Sequence, residues 1–209
     1  MAVAPRIDPE ALLSIIRGRR SVRRYRPDPL DPATLRLLIE AAGWSPSPHG
    51  RQPYRFAVLT TADARMRLAA AMGTRWQHQL ALDGQQAEVV ATRLANSHER
   101  IRTAPAIIVP CLYLCDLDQY PDAQRQAAET TMAIQSLGCA VQNMLLLAYG
   151  LGLDSGWMCA PLFCPDAVQS ALGLAAEVIP HALITLGYAA AEPQRRPRRV
   201  VDELIVHWE

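Results

Sequence analysis

Apolar positions recur at helical spacing in some stretches of the chain and as short continuous runs in others, and this division sets the expected elements. Asp8-Pro9-Glu10 followed by Ala11, Leu12, Ile15 and Ile16 reads as a capped helix that ends near Gly18. Asp31-Pro32 repeats that start signal, with Leu35, Leu38, Ile39 and Ala42 at helical spacing up to Gly43. Ala62 to Met72 predicts a third helix, Trp76 to Arg102 a long polar helical region, and Pro165 to Leu172 a short helix. The longest pattern runs from Pro121 to Gly150, where Ala127, Thr131, Ile134, Leu137, Val141, Met144, Leu145 and Ala148 are spaced to bury more than one face, as in a central helix. Tyr54 to Leu59, Ala106 to Leu114, Ser155 to Met158 and Ala182 to Gly187 read as strands. The second of these, with Ile107, Ile108 and Val109 in succession, is expected to be buried on both faces.

Two segments break the pattern. Between Trp44 and Pro53 the prolines at 46, 48 and 53 and Gly50 predict a stiff loop without regular structure. The tail from Glu192 to Arg199 is rich in proline and arginine, and Val200 to Trp208 is apolar again. A terminal segment that apolar needs cover, from its own domain or from a partner subunit. The 209 residues fit one domain spanning 1–209. No apolar run approaches the roughly 20 residues of a membrane span. The first residues lack a basic and an apolar signal region, and the five cysteines are without CxxC spacing, which together predict a cytoplasmic chain with free, mostly buried thiols.

Charge narrows the chemistry. Lysine and arginine total 21, all of them arginine, for a net charge of +1. Without lysine there is no Schiff base to a carbonyl or pyridoxal group and no Walker A lysine, so anion binding falls to the planar guanidinium fork. Arg17, Arg19, Arg20, Arg23, Arg24 and Arg26 crowd one decapeptide, and Arg195, Arg196, Arg198 and Arg199 form a second cluster. A nucleic-acid arm fits poorly with so small a net charge and few aromatic residues. A solvated basic face is the plain alternative. A discrete phosphate ligand suits the first cluster best, because it follows a glycine at a helix end and includes the hydroxyl of Ser21.

Gly150-Leu-Gly-Leu-Asp-Ser-Gly156 follows a helix and leads into Trp157, the reverse of the strand-to-helix context of a dinucleotide fingerprint. Ser155 is not in a GxSxG elbow. His49, His78, His98, His181 and His207 show no metal-ligand spacing, so no metal is expected.

Arg19-Arg20-Ser21-Val22-Arg23-Arg24-Tyr25, a following helix, and then Ser45-Pro46-Ser47-Pro48-His49-Gly50-Arg51-Gln52-Pro53-Tyr54 resemble the paired signatures of the nitroreductase superfamily. Gly150 to Trp157, Leu186-Gly-Tyr-Ala189 and an arginine-bearing tail extend the likeness over nearly the whole chain. Ser47-Pro-His49, Tyr120-Pro-Asp-Ala123 continuing to Met132, and Gly138-Cys-Ala-Val-Gln142 are most similar to the C-terminal flavin-binding reductase domain of the bifunctional coenzyme F-420 glutamate ligases of deazaflavin biosynthesis.

The resemblance implies an α+β fold in which helices wrap a central, mixed and mostly antiparallel sheet, in an intertwined homodimer whose C-terminal extension crosses to the partner. It implies FMN as cofactor and NAD(P)H as a possible electron donor. Arg19, Arg20, Ser21, Val22 and Arg23 would hold the phosphate and ribityl chain, with Arg196 or Arg198 reaching in from the tail. Ser47, Pro48, His49 and Gln52 would lie near the isoalloxazine ring, and Ser155, Gly156 and Trp157 would border it on the other side. Trp76 and Gln79 would meet the substrate. Gly50 stands where the family usually has asparagine, and Gln79 where the deazaflavin relatives have an acid. The expected activity is reduction of a dehydro-deazaflavin precursor, with a general nitroreductase or quinone reductase, and a non-catalytic flavin or deazaflavin binder, as alternatives.

Overall fold

The computed structural model describes residues 7–193 and 197–209. Two helices open the chain, each started by an aspartate whose carboxylate accepts a main-chain N–H and by a proline at the first helical position: α1 (Pro9–Gly18), capped by Asp8, and α2 (Pro32–Gly43), capped by Asp31. Strand β1 (Tyr54–Leu59) leads to α3 (Ala62–Leu82), α4 (Ala87–Thr103) and β2 (Ala106–Tyr113). Then come α5 (Ala123–Gly150), β3 (Asp154–Met158), α6 (Pro165–Leu172), β4 (Val178–Pro180) and β5 (Leu183–Gly187).

The strands form one sheet in the order β1-β2-β5-β3, with β4 beside β5 on the same edge of β2. Every pairing between these strands is antiparallel. Among the described residues the expected mixed character is limited to a parallel bridge between Ser21 and Ser155. Alternation along β2 sorts its side chains between two cores: Ala106 and Ile108 join α2 and α5 on one face, while Ile107, Val109 and Cys111 join α3 and α6 on the other. Both faces are therefore covered, and β2 is buried on both sides as its unbroken apolar run predicts.

Several expectations are corrected. The third helix does not stop at Met72; it continues to Leu82, and the break falls at Asp83-Gly84, where Gly84 takes φ +67°. Arg75, Gln77, Gln79, Leu80, Ala81 and Leu82 are good helix formers that carry the helix on past Gly73, and a left-handed glycine ends it. The loop after α2 contains a 3-10 turn at Pro48–Gly50. Strand β4 is too short and too weakly patterned to stand out in the sequence. Of the five cysteines only Cys111 and Cys164 are buried, and Cys115, Cys139 and Cys159 are exposed. Helix α5 is, contrary to expectation, long and apolar enough by length and composition to cross a membrane, but residues along its apolar stretch, from Leu137 to Ala148, belong to the core beside β2. The apolar tail does not dock on its own chain: Val206 is 100% and Trp208 82% exposed.

Candidate functional site

The arginine-rich segment after α1 runs along the edge of the sheet. Val22 donates its N–H to the carbonyl of Ser155 at 2.9 Å, which continues the bridge at Ser21 and extends the sheet past β3. Four residues on, Arg26 N–H donates to the Tyr188 carbonyl at 2.8 Å and Ala190 N–H to the Arg24 carbonyl at 3.1 Å, around an antiparallel bridge between Tyr25 and Ala189. Residues 21–26 are thus held at both ends.

Gly156 makes this approach possible. A Cβ there would lie 2.4 Å from the Val22 carbonyl oxygen and 2.7 Å from Thr185 Oγ1, closer than any side chain tolerates. Below it the buried Tyr25 hydroxyl lies 2.8 Å from Thr185 Oγ1 and donates toward the Val22 carbonyl at 3.0 Å. Burial raises the Tyr25 pKa, so the phenol stays protonated. Tyr25→Phe is expected to cost about 1–2 kcal/mol, the range for losing such a buried bond. Chemical denaturation measures this, and a midpoint shift within error of zero would show that the hydroxyl does not tether the segment.

The charges converge. Arg19 is half-buried, and its pKa is lowered by burial first and then by the positive charges of Arg198 and Arg20. Among the described residues none of Arg19, Arg20, Arg23 and Arg198 forms an ion pair with a carboxylate, whereas Arg17 and Arg26 pair with Glu10 and Asp28. Arg20 is nevertheless not free, because its Nη1 donates to the carbonyls of Arg17 at 2.5 Å and Arg19 at 2.7 Å and so caps the end of α1. Its Nε and Nη2 donors make no hydrogen bond among the described residues. Arg23 lies near Arg100 of α4, whose pKa is lowered by burial and by the Arg23 charge. Arg196 lies outside the described residues.

The second predicted segment is built tightly but elsewhere. His49, Gly50 and Gln52 all have left-handed backbone, with φ of 54°, 66° and 51°. For His49 and Gln52 that costs of order 1 kcal/mol or more each and persists only where neighbours fix it. Gln52 supplies the fixing: its N–H donates to Ser47 Oγ at 3.0 Å and its Nε2 to the Gly43 carbonyl at 2.6 Å. Arg51 pairs with Asp118 at 2.7 Å. Buried Glu129 accepts the Asp118 N–H at 3.2 Å through Oε1, which ties the loop to α5, while its Oε2 is buried without a partner. Gly50 in place of asparagine keeps the left-handed backbone, which both residues adopt readily, and omits the amide. No hydrogen bond or ion pair among the described residues joins this loop to Arg19, Ser21, Arg23 or Ser155, and its polar contacts run instead to Gly43, Asp116 and Asp118.

Trp76 and Gln79 line a cavity of about 550 Å³ between α3, α4 and the turn after β3, where Met158 directly follows the exposed Trp157. Gln79 Nε2 donates one N–H to the Phe163 carbonyl at 2.9 Å, which orients the amide and leaves its second N–H and its oxygen for a ligand. Arg93, Ser97 and Arg100 of α4 and Cys159 also line this cavity, and sequence reasoning missed them. The i, i+4, i+7 spacing of the first three was the available signal. No cluster of metal-ligating side chains occurs among the described residues.

The extended edge of the sheet in this α+β fold carries guanidiniums without a carboxylate partner among the described residues, an arrangement chemically suited to an anion. The sequence profile of the nitroreductase family matches residues 16–188. An NADH dehydrogenase of Thermus thermophilus is 30% identical over 200 residues, covering 90% of this chain and 91% of its own. Among solved structures, a protein of the nitroreductase kind from Desulfovibrio desulfuricans, in complex with FMN, is 28% identical with a TM-score of 0.74, covering 98% of this chain and 99% of that one. The FMN-dependent nitroreductase NfnB of Mycobacterium smegmatis, in complex with NADPH, superposes with a TM-score of 0.76 at 22% identity, covering 96% and 99%. The chain belongs to the nitroreductase family, and with it to the oxidoreductases.

Proposed function

We propose that the chain is an FMN-dependent oxidoreductase that takes electrons from a reduced nicotinamide and delivers them to a small aromatic acceptor. The observation that carries this reading is the convergence of Arg19, Arg20 and Arg198 at the sheet edge, without a carboxylate partner among the described residues. Such a cluster fits a phosphate dianion, because like charges held together are relieved by a ligand of opposite sign. Arg19, Ser21, Arg23 and Arg198 would grip the phosphate end, with Arg196 a further candidate, and Arg20 would hold the helix end that aims Arg19. Gly156, without a side chain, and Trp157 would border the ring.

When bound, FMN supplies two-electron transfer between nicotinamide and acceptor. The chain's own contribution is position and field. Arg23 beside Arg100 keeps a positive potential at the mouth of the α3–α4 cavity, which favours negative charge on a ring held there. Ser47, Pro48, His49 and Gln52 would complete the ring site from a second subunit. Their loop makes its polar contacts to Gly43, Asp116 and Asp118 rather than to the arginine segment, which supports a homodimer, as do the exposed apolar tail and Trp44, which is 82% exposed.

A dehydro-deazaflavin precursor of coenzyme F-420 is the finer candidate acceptor, supported by Ser47-Pro-His49 and by the segments around Tyr120 and Gly138. A general NAD(P)H nitroreductase is the second reading, supported by the relatives above. The purified protein is expected to show flavin absorbance, to bleach under NADH or NADPH without oxygen, and to recover its colour with an acceptor. Recovery with dehydro-deazaflavin but not with a nitroaromatic selects the first reading, and the converse selects the second. A spectrum that stays oxidised under both nicotinamides would leave only a flavin binder.

A further inference from the structure

The α3–α4 cavity has walls of opposite character. Trp76 from α3 and Met158 and Phe163 from the β3 side are apolar and flat or adaptable, as a planar ring requires. The facing wall is one stripe of α4, with Arg93, Ser97 and Arg100 two turns from end to end. Asp83 is the one carboxylate lining the cavity, so two guanidiniums face one acid. Neither Arg93 nor Arg100 forms an ion pair among the described residues, although Arg102 on the same helix pairs with Glu99 at 2.8 Å.

Both arginines border the apolar chamber, Arg93 as an exposed side chain and Arg100 as a partly buried one. Arg100 is half-buried, and burial together with Arg23 makes its charge costly. An anion bound against α4 would relieve that cost.

From this geometry we infer that the cavity takes a planar aromatic acceptor bearing a carboxylate, the ring packed against Trp76, Met158 and Phe163 and the carboxylate held by Arg93 with Arg100. The inference rests on the proposed oxidoreductase reading and adds the substrate class. Arg93, at the end of the stripe away from Arg23, reads the acceptor's charge; Arg100 stands between that charge and the arginine segment. The carboxylate takes no part in the redox step: the nicotinamide gives up a hydride, which supplies two electrons and one proton, a second proton comes from solvent, and a nitro acceptor becomes nitroso with loss of one water.

Equilibrium dialysis of the protein as purified, with 4-nitrobenzoate and its neutral counterpart 4-nitrotoluene, tests the assignment independently of turnover. Wild type is expected to prefer 4-nitrobenzoate. Arg93→Gln is expected to weaken its binding about ten- to a hundredfold, as for a lost hydrogen bond to a charged group, with little change for 4-nitrotoluene. Arg93→Lys, which keeps the charge, should restore most of the difference. With NADH as fixed donor, the same preference should reside in KM. Equal binding of the two compounds by wild type, or equal losses of both in Arg93→Gln, overturns the inference. A change confined to NADPH against NADH also overturns it, because the charge read would then be the donor's. Preference in dialysis without any nicotinamide oxidation would uphold the inference and sink the oxidoreductase reading; turnover of both acceptors without preference would do the reverse.

Discussion

Replacing Arg19 and Arg23 together by alanine is expected to give colourless protein that still folds. Neither guanidinium is paired to a carboxylate among the described residues, so their removal leaves no buried acid stranded. The backbone contacts that place the segment, from Val22 N–H to Ser155 and around Tyr25, involve neither side chain. Each contact to a phosphate contributes about 1.5–3 kcal/mol, so losing two weakens FMN binding on the order of a hundredfold to ten-thousandfold. Absorbance of the purified variant and titration with free FMN measure the effect. Wild-type flavin content in the double variant would remove these arginines from the site.

Gly156→Ala should damage fold and site together. The added methyl lies 2.4 Å from the Val22 carbonyl oxygen, which is backbone and cannot swing aside, and 2.7 Å from Thr185 Oγ1, which is fixed by Tyr25. Either β3 parts from residues 21–22 or the Tyr25 network opens. Overpacking of this kind costs about 1–3 kcal/mol, and the displaced arginine segment would lose its hold on the cofactor phosphate as well. Gly43→Ala is the matched control, because a Cβ there meets nothing within 4 Å. Equal melting temperatures for the two variants would show that the strand edge is looser than drawn.

Much of this architecture is legible in the sequence because local signals coincide. Asp-Pro pairs at residues 8–9 and 31–32 set both helix starts, and the period-2 division of Ile107, Ile108 and Val109 between two cores follows from an unbroken apolar run. The break at Asp83-Gly84 carries a local signal, an Asp-Gly turn pair, which a reading of Trp76 to Arg102 as one helical region passes over. Ser21 and Ser155 were proposed together from the family likeness; their adjacency is a long-range pairing that no local pattern encodes. Arg20 shows the limit most clearly. Its residue type suits a phosphate, but its Nη1 is also held by the carbonyls of Arg17 and Arg19 at the end of α1, a competition that no local pattern encodes. The apolar pattern of the tail predicts cover, and its own chain does not supply it at Val206 and Trp208.

Arg198 lies near enough to Arg19 for its positive charge to lower the Arg19 pKa, which brings the C-terminal segment close to the arginine-rich one. An anion that binds both must draw the C-terminal segment inward, and by thermodynamic reciprocity whatever fixes that segment must tighten the anion in the same proportion. Protease sensitivity of residues 197–209 therefore becomes a gauge of phosphate occupancy. Trimming the chain ahead of Arg198 should loosen the cofactor even though the cut falls beyond every strand of the sheet.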